Sequence, residues 1–321
     1  MRVLVVGATG YVASRLIPIL LEAGHDVVAG ARTLEKLDTF YWSDHVQRVR
    51  LDVLDESSVK NALSTDISTV VYLVHGMDGK DFRALDLTAA KNMVTALAGT
   101  DIQRVIYLSG IIPDVARDRL SEHLISRLEV EEKLSEADQT VITLRAAMLI
   151  GSGSTSFDLM GELTRRVPIT VVPYWMNHAV EPISVEDISI AIEGALTADV
   201  GTSHYDVGGG QQIKYPDLLE LYAEIAGIDR DQLHLPFLPE PLVSKIAARI
   251  TDVDTATAES LIESLQEDMV ARDQRWKTEL VSRPGFDVTP VEGAISRSLT
   301  APDASVPPSD RDPLGPLPGD K

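Results

Sequence analysis

The sequence predicts an α/β fold: a Rossmann-like, doubly wound parallel sheet with a smaller, mostly helical C-terminal lobe. Three observations carry this expectation. The chain opens on an apolar run feeding a glycine turn, Met1 to Arg15, MRVLVVGATGYVASR. Strand-like and helix-like stretches then alternate to about residue 150, the pattern of repeated βαβ units. Beyond that point the alternation loosens and helical periodicity takes over.

Val3 to Val6 is long enough for one buried strand and too short for a helix. Gly7, Gly10 and Ala13 follow at the spacing of a dinucleotide-binding turn. Gly7 permits the tight turn, Gly10 admits a pyrophosphate close to the backbone, and a small residue at 13 lets helix pack on strand. Tyr11 to Glu22 reads as the following helix, ending near Gly24, with its free amides and positive dipole end towards the phosphates.

Asp26 to Ala31 is the second strand. Its end lacks the carboxylate that would bind a ribose 2′-hydroxyl; Ala31 and Arg32 stand there instead. A guanidinium pairs with a 2′-phosphate, so NADP(H) is the preferred cofactor. NAD(H) stays open because Arg also stacks on adenine, and Arg32 also reads as a solvated surface residue. Further strands are expected at Val46–Leu51, Thr69–Val74, Arg104–Ser109 and Thr140–Leu144, with helices at Glu56–Leu63, Asp81–Ala98 and Ser121–Ala137. Gly7, Arg32, Asp52, His75, Gly76 and Ser109 then fall at strand carboxyl ends, the rim where such sheets hold ligands.

Residues 1–150 are thus expected to form the nucleotide domain. Residues 151–300 would form the smaller substrate or partner lobe, some segments returning to the sheet, and 301–321 a disordered Pro-rich tail. Gly151 to Ser154 reads as a flexible joint, Ser156–Arg166, Val185–Leu196 and Tyr215–Ala226 as further elements, and Leu261, Leu265 and Met269 as core packing at helical spacing.

Composition narrows the function classes. The chain has 321 residues, 44% hydrophobic and 24% charged, in the range of globular proteins. A net charge of −20 opposes nucleic-acid binding. The absence of cysteine excludes disulfides and thiolate chemistry. No basic leader precedes the first strand, and no run nears the ~18 apolar residues of a membrane span. A soluble cytoplasmic protein without membrane contacts is expected. The seven histidines show no metal-ligand spacing, so no metal site is expected.

With GATGYVAS, Arg32, LDVLD, YLVHG, YLSG and PISVEDI laid out, the chain resembles the short-chain dehydrogenase/reductase superfamily. The nearer likeness is to its atypical, NmrA-like branch of bacterial NAD(P)H-binding proteins, over roughly Met1 to Leu299. The resemblance implies that Gly7, Thr9, Gly10, Tyr11 and Val12 meet the pyrophosphate. It implies Arg32 at the adenosine end, Asp52 and Val53 at the adenine, and His75 and Gly76 past the ribose. ISVEDI at Ile183–Ile188 looks like the start of the helix of the second lobe, and YDVGGG at Tyr205–Gly210 is also similar to the family.

One departure matters. Active members of the superfamily use a Tyr as proton donor or acceptor, with a Lys four residues later that lowers its pKa. None of the eight tyrosines here has a Lys at that offset. On the corresponding helix, LSEHLISRLEVEEKL, stand His123 and Arg127, four apart and on one face. Arg127 suits ribose hydroxyls or a cofactor phosphate but cannot give up a proton. His123 reads either as the proton-transfer group, its ordinary pKa suiting neutral pH, or as a polar residue of the first helical turn. Ser109 reads either as a neighbour of the nicotinamide or as a cap of the strand end. Glu129, Glu131 and Glu132 read as a solvated face. Trp175 and His178 read as pocket lining, or Trp175 as a buried anchor. Two functions fit: an NADPH-dependent oxidoreductase acting on a small carbonyl compound, and a non-catalytic NADP(H)-sensing regulator acting through a protein partner.

Overall fold

A computed structural model describes residues 1–320 except 64, 65, 77–80, 168, 230, 236, 237, 252 and 254. The first half runs β1 (Arg2–Val6), α1 (Tyr11–Glu22), β2 (Asp26–Ala31), β3 (Gln47–Arg50), α2 (Glu56–Leu63), β4 (Thr69–Tyr72), α3 (Phe82–Leu97), β5 (Arg104–Gly110), α4 (Glu122–Leu134) and β6 (Thr140–Ala146). Short strands β7 (Leu149–Ile150), β8 (Thr170–Pro173), β9 (Ala179–Val180) and β10 (Ile183–Ser184) follow, with helices α5 (Thr155–Arg166) and α6 (Val185–Ala195) among and after them. Then come β11 (Ser203–Val207), α7 (Tyr215–Ile225), α8 (Glu240–Ile250) and α9 (Thr255–Glu263).

The central sheet has seven strands in the order β11-β6-β5-β4-β1-β2-β3, all paired in parallel. Its order reverses between β1 and β4, which opens a crevice at their carboxyl ends. The period-two geometry of a strand splits β1 between two layers. Val3 and Val5 pack with Leu16 and Ile17 of α1 and with Ile188 and Ile192 of α6. Leu4 and Val6 pack on the other side with Val59 of α2, Met93 of α3 and Val130 of α4. Helices on both faces leave every central strand dry, which is why these strands read as continuous apolar runs.

The helix begun at Ile183–Ile188, α6, packs against α1 beneath the sheet, because Val185, Ile188, Ala191 and Ile192 form a stripe matching that layer. Residues 301–320, expected as a disordered tail, pack against the body. Leu314 is fully buried and Leu317 nearly so, giving an otherwise polar tail two apolar anchors.

An arginine completes the docking. Arg15 of α1 is 1% exposed. It donates to the carbonyls of Pro313 (3.0 Å), Gly315 (3.1 Å) and Ser152 (3.0 Å), and grips both carboxylate oxygens of Asp320. Its guanidinium also lies 5.0 Å from the Tyr11 ring centroid. The same contacts pin the segment at Gly151–Ser154, where Ser152 N also donates to the Leu314 carbonyl at 2.8 Å. That stretch is a fastened corner, not a flexible joint.

Removing the carboxylate of Asp320 leaves a buried cation short of its counter-charge, which costs on the order of 3 kcal/mol. Asp320→Ala is expected to lower the unfolding free energy by about that amount in denaturant titration, and Arg15→Met with Asp320→Leu to recover most of it. An Asp320→Ala variant as stable as the parent would contradict the clamp.

Candidate functional site

At the crevice the chain leaves β1 through Gly7, whose φ of +87° favours glycine. A Cβ there would stand 3.1 Å from Val74 Cγ2. The Gly30 carbonyl accepts from Gly7 N (3.2 Å) and Ala8 N (3.0 Å), tying the turn to β2. Gly10 caps α1 without a side chain and is exposed. The first bond of the helix runs from Ser14 N to the Gly10 carbonyl (3.1 Å), so the amides of Tyr11, Val12 and Ala13 precede it and stay available. A bare backbone cradle at a helix N-terminus fits a pyrophosphate. Thr9 sits half-buried in this turn.

The rim continues towards β2 and β3. Arg32 is exposed just beyond β2 and has no hydrogen-bond or ion-pair partner among the described residues. Asp52 follows β3; its Oδ1 accepts from Leu54 N (3.1 Å), its own N donates to Ser58 Oγ (2.9 Å), and Val53 is buried beside it. Past β4, Gly76 N donates to Asp86 Oδ1 (2.7 Å), while Asp86 Oδ2 accepts from Ser126 Oγ (2.9 Å). This fastens the segment after β4 to α3 and α4. Burial pushes the Asp86 carboxyl up from its ordinary range.

Next to the turn lies a cavity of about 280 Å³ bordered by Gly10, Tyr11, Val12, His75, Ser109, His123 and Arg127. The two imidazoles meet edge to face, 6.4 Å between centroids. Burial, with a contribution from Arg127, pushes the His123 pKa down to about 3. His75 borders the cavity and is exposed to solvent there, and the crowding of protein about its ring, then Arg127 and His123, lower its pKa. Both rings are neutral at pH 7. Ser109 is 4% exposed with an unpartnered Oγ. Arg127 donates to the Leu108 carbonyl at 3.3 Å and leaves a buried Nε unpartnered. The Tyr107 phenol, on β5, is buried and its pKa raised by that burial.

Among the described residues the site therefore gathers hydrogen-bond donors without a group poised to give up a proton at neutral pH. His123 does not keep the ordinary pKa that suggested proton transfer. Trp175 and His178 do not border this cavity: Trp175 Nε1 donates to the Leu238 carbonyl (2.7 Å), and His178 Nδ1 lies 3.2 Å from Asp268 Oδ1. Leu261, Leu265 and Met269 do border it. Met269 and Leu265 also belong to the packed core as expected, although they do not share one helix: Leu261 is on α9, Leu265 in the turn after it, and Met269 bridges Val180.

The acidic run on α4 is a set of arginine clamps, of which only Glu132 keeps the expected solvated position. Glu131 is buried and pairs with Arg145 through two bonds (2.9 and 2.6 Å). Glu129 takes Arg83 (2.8 and 2.6 Å) and Glu132 takes Arg117 (2.7 and 3.1 Å). Glu181 is a residue the sequence reading passed over. It is 1% exposed and accepts from Gly210 N (2.9 Å), Ala271 N (3.0 Å) and Gln274 Nε2 (2.7 Å). A Cβ at Gly208 would overlap its carboxylate, so the run of three glycines was the available signal. Among the described residues no group of three or more acidic or His side chains could hold a metal, and no helix is long and apolar enough to cross a membrane.

Solved structures share the fold. The Citrobacter sp. triphenylmethane reductase complexed with NADP(H) is 16% identical, covering 93% of this chain and all of its own, with a TM-score of 0.72. A nucleoside-diphosphate-sugar epimerase from Staphylococcus aureus is 14% identical, covering 92% of this chain and 100% of its own, also with a TM-score of 0.72. The Bordetella bronchiseptica enzyme WbmH, solved with NAD+, is 18% identical, covering 92% of this chain and 96% of its own, with a TM-score of 0.65. No curated protein matches in sequence. The sequence family described as NAD(P)H-binding matches residues 7–167, just over half of the 321 residues and the whole of the glycine turn, rim and α4 site. The chain belongs to that NAD(P)H-binding family, on a Rossmann-like α/β fold.

Proposed function

We propose that the protein is an NADPH-dependent oxidoreductase acting on a small carbonyl compound, of the NmrA-like kind. The observation that carries this reading is the adjacency of the bare amide cradle at Gly7–Val12 to a cavity edged by Ser109, His123 and Arg127. Gly7, Thr9, Gly10, Tyr11 and Val12 would hold the pyrophosphate. Arg32, exposed and unpartnered, would pair with the 2′-phosphate. Asp52 and Val53 would flank the adenine and His75 and Gly76 the nicotinamide ribose, while Arg127 would serve both the ribose and the substrate oxygen through different guanidinium nitrogens. When bound, NADPH supplies a hydride equivalent.

In this reading Ser109 and Arg127 donate to a substrate oxygen, while neutral His123 shapes the pocket and gives up no proton. The proton that completes a reduction then comes from water. The same neutral histidines favour the second reading, an NADP(H)-sensing regulator working through a protein partner. NADPH turnover with a panel of small carbonyl compounds separates the two: the enzyme reading expects oxidation of NADPH, the sensor binding alone.

Gly10→Val is expected to abolish binding of every nicotinamide nucleotide in equilibrium dialysis by filling the cradle. Arg32→Ala is expected to weaken NADPH by about 1.5–3 kcal/mol, roughly ten- to a hundredfold, and to leave NADH within about twofold. Equal losses for both nucleotides would remove Arg32 from the 2′-phosphate.

The depressed pKa of His123 has a consequence for stability. Between its ordinary value near ~6.5 and about 3, the unfolded chain binds a proton at His123 that the folded chain refuses. Acidification through that window therefore destabilises the fold, and above it the group contributes nothing. Between pH 8 and pH 5 the parent should lose about 2 kcal/mol more than His123→Gln in denaturant titrations. Parallel pH profiles would mean that His123 titrates normally.

A further inference from the structure

The cavity has two unlike ends. Beside the glycine turn lie Tyr11, Ser109 and Arg127, each with a buried polar atom lacking a partner. The opposite wall is apolar: Leu159 of α5, Val180 of β9, Leu261 and Ile262 of α9, and Leu265 and Met269 beyond it. Among the described residues that line it there is no Asp, Glu or Lys, and Arg127 is the sole arginine. The lining hydroxyls of Ser154 and Ser264 are spent on the Leu149 and Ser260 carbonyls, each within 2.9 Å.

Physical chemistry limits what such a space accepts. A nucleoside-diphosphate sugar would bring two ionised phosphates into a space whose described lining offers one guanidinium as its only cationic side chain. Burying those groups unpaired costs several kcal/mol. A cationic ligand would face Arg127 with no carboxylate to offset the repulsion. What remains is a molecule apolar over its body with one acceptor oxygen for the unsatisfied donors. The cavity volume of 280 Å³, shared with the turn residues Gly10 to Ala13, restricts that body to a compact ring system.

We propose that the cavity binds a neutral, apolar, conjugated carbonyl compound, its oxygen held by Ser109 and Arg127 and its rings by the Leu159–Met269 wall. This rests on the reading of the adjoining turn as the nucleotide site and adds the substrate class. It also explains why α9 and the turn after it reach back over the rim: they supply the apolar half of the pocket that the sheet domain lacks.

The test is binding by isothermal calorimetry, using the full chain with three probes: 1,4-naphthoquinone, UDP-glucose and the triarylmethane cation crystal violet. NADP+ is titrated in parallel. Naphthoquinone is expected to bind and the other two to bind at least tenfold more weakly. Arg127→Met and Leu265→Asp should each weaken naphthoquinone at least tenfold, and Arg127→Lys should restore part of what the Met variant loses. Circular dichroism of each variant distinguishes a lost contact from a lost fold. Tighter binding of UDP-glucose or of the cation, or naphthoquinone binding indifferent to Arg127→Met, would overturn the proposal. Failure of naphthoquinone while NADP+ binds would overturn the substrate class and leave the nucleotide site standing. Failure of NADP+ while naphthoquinone binds would do the reverse.

Discussion

The reversal of strand order between β1 and β4 is the constraint from which the rest of the molecule follows. At that point the chain must leave a buried strand and enter a helix at once, with no room for a side chain at Gly7, where Val74 closes in from the neighbouring strand end. The result is a helix N-terminus with spare amides at the open edge of a dry sheet. Partial positive charge at that place is unavoidable, because helical geometry leaves the first amides unpaired. An anionic ligand is the natural complement. The neighbouring strand ends bring Arg32, Asp52, His75 and Ser109 to the same rim because parallel strands all end on one side.

Buried ion pairs then decide how the later chain attaches to this frame. Arg15 binds α1 to the corner at Ser152 and to the end of the tail. Arg145 of β6 pairs with Glu131 of α4, and Asp206 of β11 takes Arg272 at 2.6 and 2.9 Å. Glu181 gathers the amides of Gly210 and Ala271. Each group would be costly to bury alone, so each fixes one partner and one register where apolar packing would accept several. Glu181 and Asp206 fix the chain at Ala271 and Arg272, next to Met269 of the apolar wall.

Local chemistry made the sheet half legible. Runs such as Val3–Val6 and Asp26–Ala31 are apolar because both faces are covered, and the glycine turn has a backbone reason at each small residue. What was hidden depends on partners distant in sequence. Arg15 looks like a surface residue of an amphipathic helix until Asp320, 305 positions away, is folded against it. Leu261, Leu265 and Met269 satisfy a helical period while belonging to separate elements. The tail has few apolar residues, yet Leu314 and Leu317 are placed to bury. His123 and Arg127 were legible as a pair on α4, but the neutrality of His123 comes from enclosure, and a sequence does not display enclosure.

The measurement that bears most directly on this account is a calorimetric titration of the unmodified chain with NADPH, NADP+, NADH and NAD+ in parallel. The amide cradle and the unpartnered Arg32 together predict one-to-one binding, with the phosphorylated pair at least tenfold tighter than the other two. Binding of none of the four would mean that the turn keeps its shape without its ligand, and would contradict the assignment of this rim as the site of function.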